Sequence, residues 1–127
     1  MTTRILLVED DDQNAALVTM MCERDGYEVV RSADGMSALF VLWSERVDVV
    51  LMDLHLPEID GTGLLRIMRS HHSFDHVPVI ALTGLTTATI REELVMAGAA
   101  SVLHKPFASK ELMASLAGLD RAIAAAC

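Results

Sequence analysis

The sequence predicts an α/β fold, a doubly wound parallel sheet of five strands with five helices. Three observations lead there. Short apolar runs recur five times, and each is followed by a stretch with helical periodicity. Runs such as Val-Val-Leu-Met (49–52) and Val-Ile-Ala-Leu (79–82) are apolar at every position, as strands covered by helices on both faces must be. The chain has 127 residues, 52% of them hydrophobic and 22% charged, enough for one buried core and too few for a second domain of similar size.

The elements follow in order. Ile5–Val8 is the first strand and runs into Glu9-Asp10-Asp11-Asp12, where Asp12 and Asp11 read as caps of the first helix. That helix carries the stripe Leu17, Val18, Met21 and Cys22, and Gly26 stops it. Glu28–Arg31 is a half-apolar second strand, followed by a helix marked by Ala38, Leu39, Leu42 and Trp43. Val47–Met52 is the third strand; Asp60-Gly61 opens a third helix with Leu64 and Met68 inward. Val77–Leu82, with Pro57 and Pro78 at element edges, precedes a helix carrying Ile90, Leu94 and Ala97. Ser101–Leu103 is the last strand, and Leu112, Leu116, Leu119 and Ile123 mark the last helix. Strands alternating with helices imply crossover connections and a parallel sheet. No linker or low-complexity tract interrupts the pattern, so residues 1–127 are expected to be one domain with its core at about 4–123.

Charge and cysteines exclude several functions. Ten basic against eighteen acidic residues give a net charge of −8, which disfavours phosphate backbones and anionic lipid surfaces alike. Neither nucleic acid nor a membrane is the expected partner. Two cysteines without short spacing, Cys22 and Cys127, make neither a disulfide framework nor a zinc site, and Cys22 reads as a core thiol. With no signal-type start and no apolar run near the roughly 18 residues of a membrane helix, the expected compartment is the cytoplasm.

In an open parallel sheet, ligands gather beyond the carboxyl ends of the strands. The first strand delivers Glu9 through Asp12 there, the third Asp53, the fourth Thr83-Gly84 and the fifth His104-Lys105-Pro106. Capping explains Asp11 and Asp12 but not Asp10 and Asp53, which both follow apolar strands. Clustered carboxylates raise one another's pKa values unless a cation relieves them. Oxygen ligands without His or Cys among them point to Mg²⁺ or Mn²⁺. A dinucleotide- or flavin-binding reading fails because the first turn carries acids instead of a phosphate-cradling Gly- or Ser/Thr-rich loop. A haloacid-dehalogenase-type phosphatase would want a second Asp two residues after its nucleophile, where this chain has His55.

The strings ILLVEDD, VVLMDLHLPEIDG, VIALTG and LHKPF occur in this order. Asp53 stands 43 residues after Asp10, Thr83 stands 30 after Asp53, and Lys105 stands 22 after Thr83. Together these resemble the receiver domain of bacterial response regulators, the phosphoacceptor part of two-component signalling, over roughly residues 4–123. The resemblance implies a flavodoxin-like sheet of order 2-1-3-4-5. It implies that Asp53 accepts a phosphoryl group from a sensor histidine kinase or phosphotransfer protein. Asp10, Asp53 and the backbone carbonyl of His55 would hold Mg²⁺, with Glu9 acting mainly through water. Thr83 and the Gly84 amide would bind phosphoryl oxygens, Lys105 would pair with the phosphoryl group, and Lys105–Pro106 would be a cis peptide. The same resemblance places a downstream protein target on the face of helix 4, strand 5 and helix 5. Beyond its own phosphorylation and dephosphorylation no enzymatic turnover is expected.

Two departures stand out. Family members usually carry Tyr or Phe three residues before the Lys as a rotameric switch, and this chain has Val102. Without a swinging ring, phosphorylation would be read through the loop and helix after Thr83. Of the charged pairs that often join two receivers, only Arg91 and Glu111 look able to form here. His71, His72, His76 and His104 read as surface residues, and the small apolar tail from Ala122 reads as the end of the last helix. Twenty residues follow Phe107, room for one helix and no output domain. Two classes stay open: a phosphorylation-dependent switch acting on a partner in trans, or a constitutive protein-binding adaptor. Either could stand alone or be a receiver cut from a larger regulator or hybrid kinase.

Overall fold

A computed structural model describes residues 2–56, 60–84 and 87–126, with side chains to Leu119. Pro57, the Ile123 side chain and Cys127 lie outside the described residues. Five strands alternate with helices: β1 (Arg4–Val8), α1 (Asp12–Arg24), β2 (Glu28–Ser32), α2 (Gly35–Ser44), β3 (Val49–Asp53), α3 (Gly61–Arg69), β4 (Val79–Thr83), α4 (Ala88–Met96), β5 (Ser101–His104) and α5 (Ser109–Ala126). All strand pairs are parallel, in the order β2-β1-β3-β4-β5. The predicted doubly wound sheet and its order are observed.

Alternation along the strands sorts the core into two layers. Leu6, Val8, Val50, Met52, Val79 and Ala81 face α2, α3 and α4, where Leu42, Leu64, Met68 and Leu94 cover them. Ile5, Leu7, Val49, Leu51, Ile80 and Leu82 face α1 and α5, against Val18, Cys22, Leu112 and Leu116. β3 and β4, apolar up to their last residues Asp53 and Thr83, are buried throughout, whereas β2, at the sheet edge, buries only Ser32. That edge position is why its sequence is only half apolar.

Capping fixes the helix starts. Asp11, Asp34, Asp60 and Thr87 each accept a hydrogen bond from a backbone amide three residues ahead. Asp11 is thus the α1 cap, and Asp12 is the first residue inside that helix rather than a cap itself. Gly26 adopts φ +89°, the left-handed conformation that ends α1. Burial first, then the nearby Asp25 and Glu23, push the Cys22 thiol up to about 12, as befits a core residue. Two stripes read as inward are more open: Leu17 and Trp43 are about half exposed, Trp43 resting edge-on against His71 and Phe74. His71, His72, His76 and His104 are exposed as expected. Within the chain the Glu111 carboxylate accepts from the Ala108 amide at the entrance to α5. The α5 backbone runs to Ala126, so the tail does end the last helix. Among the described residues no helix is long and apolar enough to cross a membrane.

Candidate phosphoacceptor and metal site

Parallel strands of five residues or fewer in register end at one level, so the residues following β1, β3, β4 and β5 meet at one rim. Asp53 is the last residue of β3 and is buried; Glu9 follows β1 and is buried; Asp10, beside it, is exposed. One carboxylate oxygen from each of Glu9, Asp10 and Asp53 lies within 4.8 Å of the others. Thr83 ends β4 and is buried, and its carbonyl accepts from the Lys105 amide at 2.8 Å. That bond brings the start of the β5–α5 loop across to Thr83, and Lys105–Pro106 is cis.

The Lys105 ammonium reaches back over the rim. Its Nζ donates to Asp53 Oδ2 at 2.9 Å and to Glu9 Oε1 at 3.2 Å. The other Asp53 oxygen, Oδ1, accepts the backbone N–H of His55 at 3.0 Å. Glu9 Oε2 is buried and has no hydrogen-bond partner among the described residues. Beside these groups a cleft of about 530 Å³ is lined by Asp10, His55, Asp60, Thr62, Thr83 and Ile90. Gly84 is exposed at its edge, with open space where a Cβ would stand.

The electrostatics follow from this crowding. Burial, then the hydrogen bond and charge of Asp53, push the Glu9 carboxyl up to about 7, against the opposing pull of Lys105. Burial alone would raise Asp53 too, but hydrogen bonds from Glu9, the His55 amide and Lys105 outweigh it and hold Asp53 below the usual carboxylate range. Lys105 is depressed by burial, yet Asp53 and Glu9 more than compensate and keep it firmly protonated. The result is an ionised, oriented Asp53 carboxylate next to a proton-hungry Glu9. Three carboxylates of which one buried oxygen lacks a donor suit a small hard cation, so the donor set fits Mg²⁺ or Mn²⁺.

All the residues singled out in the sequence, Glu9, Asp10, Asp53, His55, Thr83, Gly84 and Lys105, converge on this rim. Val102 does not: it is a buried residue of β5, paired with Ala81 and packed in the α2–α3–α4 layer. One further residue, which neither its type nor its spacing singles out, also touches the site. Arg31 of β2 donates from Nε to the Glu9 carbonyl at 2.9 Å and from Nη1 to Asp12 Oδ1 at 2.8 Å.

Comparison with known proteins agrees with this geometry. A family model, the response regulator receiver domain, matches residues 5–117. The polar-differentiation response regulator DivK of Brucella ovis is 31% identical over 106 residues, 84% of this chain and 86% of that protein. The chemotaxis protein CheY4 of Vibrio cholerae superposes with a TM-score of 0.88 at 28% identity, covering 94% of this chain and 99% of that one. The receiver domain of the sensor histidine kinase PA1611 from Pseudomonas aeruginosa PAO1 was solved with a magnesium ion coordinated in its active-site cleft. It gives a TM-score of 0.83 at 36% identity, covering 95% of this chain and 97% of that one. The chain therefore belongs to the response regulator receiver domains of two-component signalling.

Proposed function

We propose that this chain is a phosphorylation-dependent switch whose acceptor is Asp53. The carrying observation is the ionised Asp53 carboxylate, held at the rim by Lys105 at 2.9 Å and by the His55 amide at 3.0 Å. The donor is a phosphohistidine of a sensor kinase or phosphotransfer protein. An Asp53 oxygen attacks phosphorus, the P–N bond breaks, and the imidazole nitrogen leaves with the electron pair. Lys105 passes from pairing with the carboxylate to pairing with the new phosphoryl oxygens, and Thr83 with the Gly84 amide takes another of them. Such transfer depends on in-line positioning and on charge compensation of the equatorial oxygens.

Glu9, Asp10, Asp53 and the His55 carbonyl would hold Mg²⁺, and when bound it supplies positive charge against the carboxylates and the incoming phosphoryl group. Hydrolysis of the acyl phosphate by water restores the carboxylate, so the protein processes only its own modification and turns over no separate substrate. The phosphorylated domain would act in trans on a protein partner through α4, β5 and α5. Buried Val102 supports a second reading, in which a partner binds this face whatever the state of Asp53.

Intact mass after incubation with acetyl phosphate and Mg²⁺ tests the first reading. We expect one added phosphoryl group, absent in Asp53→Asn and absent without metal. A beryllofluoride mimic that fails to bind, together with no mass gain, would transfer the case to the constitutive adaptor.

A further inference from the structure

Arg31 lies on the edge strand β2, in register with Leu7 of β1, and its side chain is only about 30% exposed. With Ala15 and Ala16 of α1 it lines one shallow groove. From there the guanidinium forks across the acidic loop. Nε donates to the carbonyl of Glu9 and Nη1 to the carboxylate of Asp12, so the two bonds flank Asp10 and Asp11 along the chain. The Glu9 amide donates to the Ser32 carbonyl at 3.0 Å, so the loop is tied to the β2 end at three points.

We infer that Arg31 is a positioning residue for the divalent cation site: it fixes the loop that presents Glu9 and Asp10, at the cost of adding a positive charge near the ion. The inference rests on reading Glu9, Asp10 and Asp53 as that site. Two opposing effects make its sign informative. As a bare charge, Arg31 repels a divalent cation, and removing it would tighten binding. As a clamp, it holds ligands that otherwise repel one another and splay, and removing it weakens binding. A planar fork sets its donors apart in a fixed geometry and so reaches a carbonyl and a carboxylate at different positions, whereas an ammonium offers all its donors from one point. The exposed Asp12 limb is worth little by itself, since Asp12 is about 89% exposed. The less exposed bond to the Glu9 carbonyl carries the effect.

The test is calorimetric titration of the metal-free full chain with MgCl₂, for the wild type, Arg31→Met, Arg31→Lys and Asp10→Asn, with the thermal unfolding of each variant measured alongside. Asp10→Asn should abolish binding and so locate it. Arg31→Met and Arg31→Lys should each weaken Mg²⁺ by about 3- to 10-fold, less than the roughly 10- to 100-fold typical of groups that hydrogen-bond metal-ligating side chains directly. Equal or tighter binding by Arg31→Met, with or without a lower unfolding temperature, would overturn the inference and leave the metal site standing. Should Arg31→Met not fold, unchanged affinity in Arg31→Lys would overturn it equally. A wild type that takes up no Mg²⁺ would remove the site itself, and the positioning role with it.

Discussion

At the scale of single residues, the site turns on how three charged side chains share space. Glu9 is raised from an ordinary 4.5 to about 7 because it is buried against Asp53. A carboxyl whose folded pKa lies above its unfolded value stabilises the fold fully below the unfolded pKa, and that contribution disappears as pH rises through about 7. The metal-free protein should therefore lose stability between about pH 4.5 and 7 by an amount that Glu9→Gln removes, as thermal unfolding at a series of pH values would record. Metal uptake has the opposite slope, because ligands must be deprotonated. Mg²⁺ affinity should rise over the same interval, and near pH 6 binding should release a proton, visible as a dependence of the calorimetric heat on buffer. A flat stability profile in the wild type would contradict the assignment. Acids in the order Glu9-Asp10 and a distant Asp53 were legible in the sequence because their residue types state their chemistry. Arg31 was not, because an arginine on a half-apolar strand reads as a solvated charge until its fork is seen around the Glu9 carbonyl.

At the scale of elements, the β3–α3 connection holds the acceptor in place. Gly61 opens α3 and donates its amide to the Leu54 carbonyl, with Asp60 capping the helix just before it. A Cβ at Gly61 would stand 2.6 Å from the Asp53 carbonyl oxygen and 2.7 Å from the Leu54 Cα. Both are backbone atoms of the acceptor segment and cannot swing away. Gly61→Ala should cost about 1–3 kcal/mol by overpacking, measured by urea unfolding, and should slow acetyl phosphate labelling because Asp53 must shift. Unchanged stability and labelling would refute that contact. From the sequence Asp60-Gly61 reads only as a helix start; the second reason for the glycine comes from the strand it abuts. Helix α2 teaches the same point differently. Its ten residues include no charge, so apolar periodicity announces a helix without saying which side faces in, and Trp43 ends up largely on the outside.

At the scale of the whole molecule, the two layers on either side of the sheet are what set the rim. Leu51 sits in the central strand, fully buried towards α1 and α5. Truncating it to Ala should cost about 2–5 kcal/mol through lost burial and the cavity left behind, seen as a lower urea midpoint. The acceptor group itself would be untouched, so the protein that remains folded should still be labelled on Asp53. A loss of labelling in excess of the loss of folded protein would mean that the β3 register is softer than its pairing with β1 and β4 implies. Net charge of −8 is also a property of the whole, and the two limbs of Lys105 and Arg31 are the local basic groups that make the acidic rim tenable.

The fold class, the strand count, and which acids, hydroxyl and lysine could work together are all readable from residue order alone. They are readable because strands covered on both faces need long apolar runs, and because the residues at the ends of the strands of a parallel sheet must gather at one end. The tertiary structure decided what pairwise distance alone can decide. It decided that Lys105 bridges Asp53 and Glu9, that one Glu9 oxygen is buried without a donor among the described residues, that Asp11 rather than Asp12 caps α1, and that Arg31 holds the acidic loop. These contacts join residues up to 96 positions apart, and local periodicity carries no information about which distant side chain will arrive beside them.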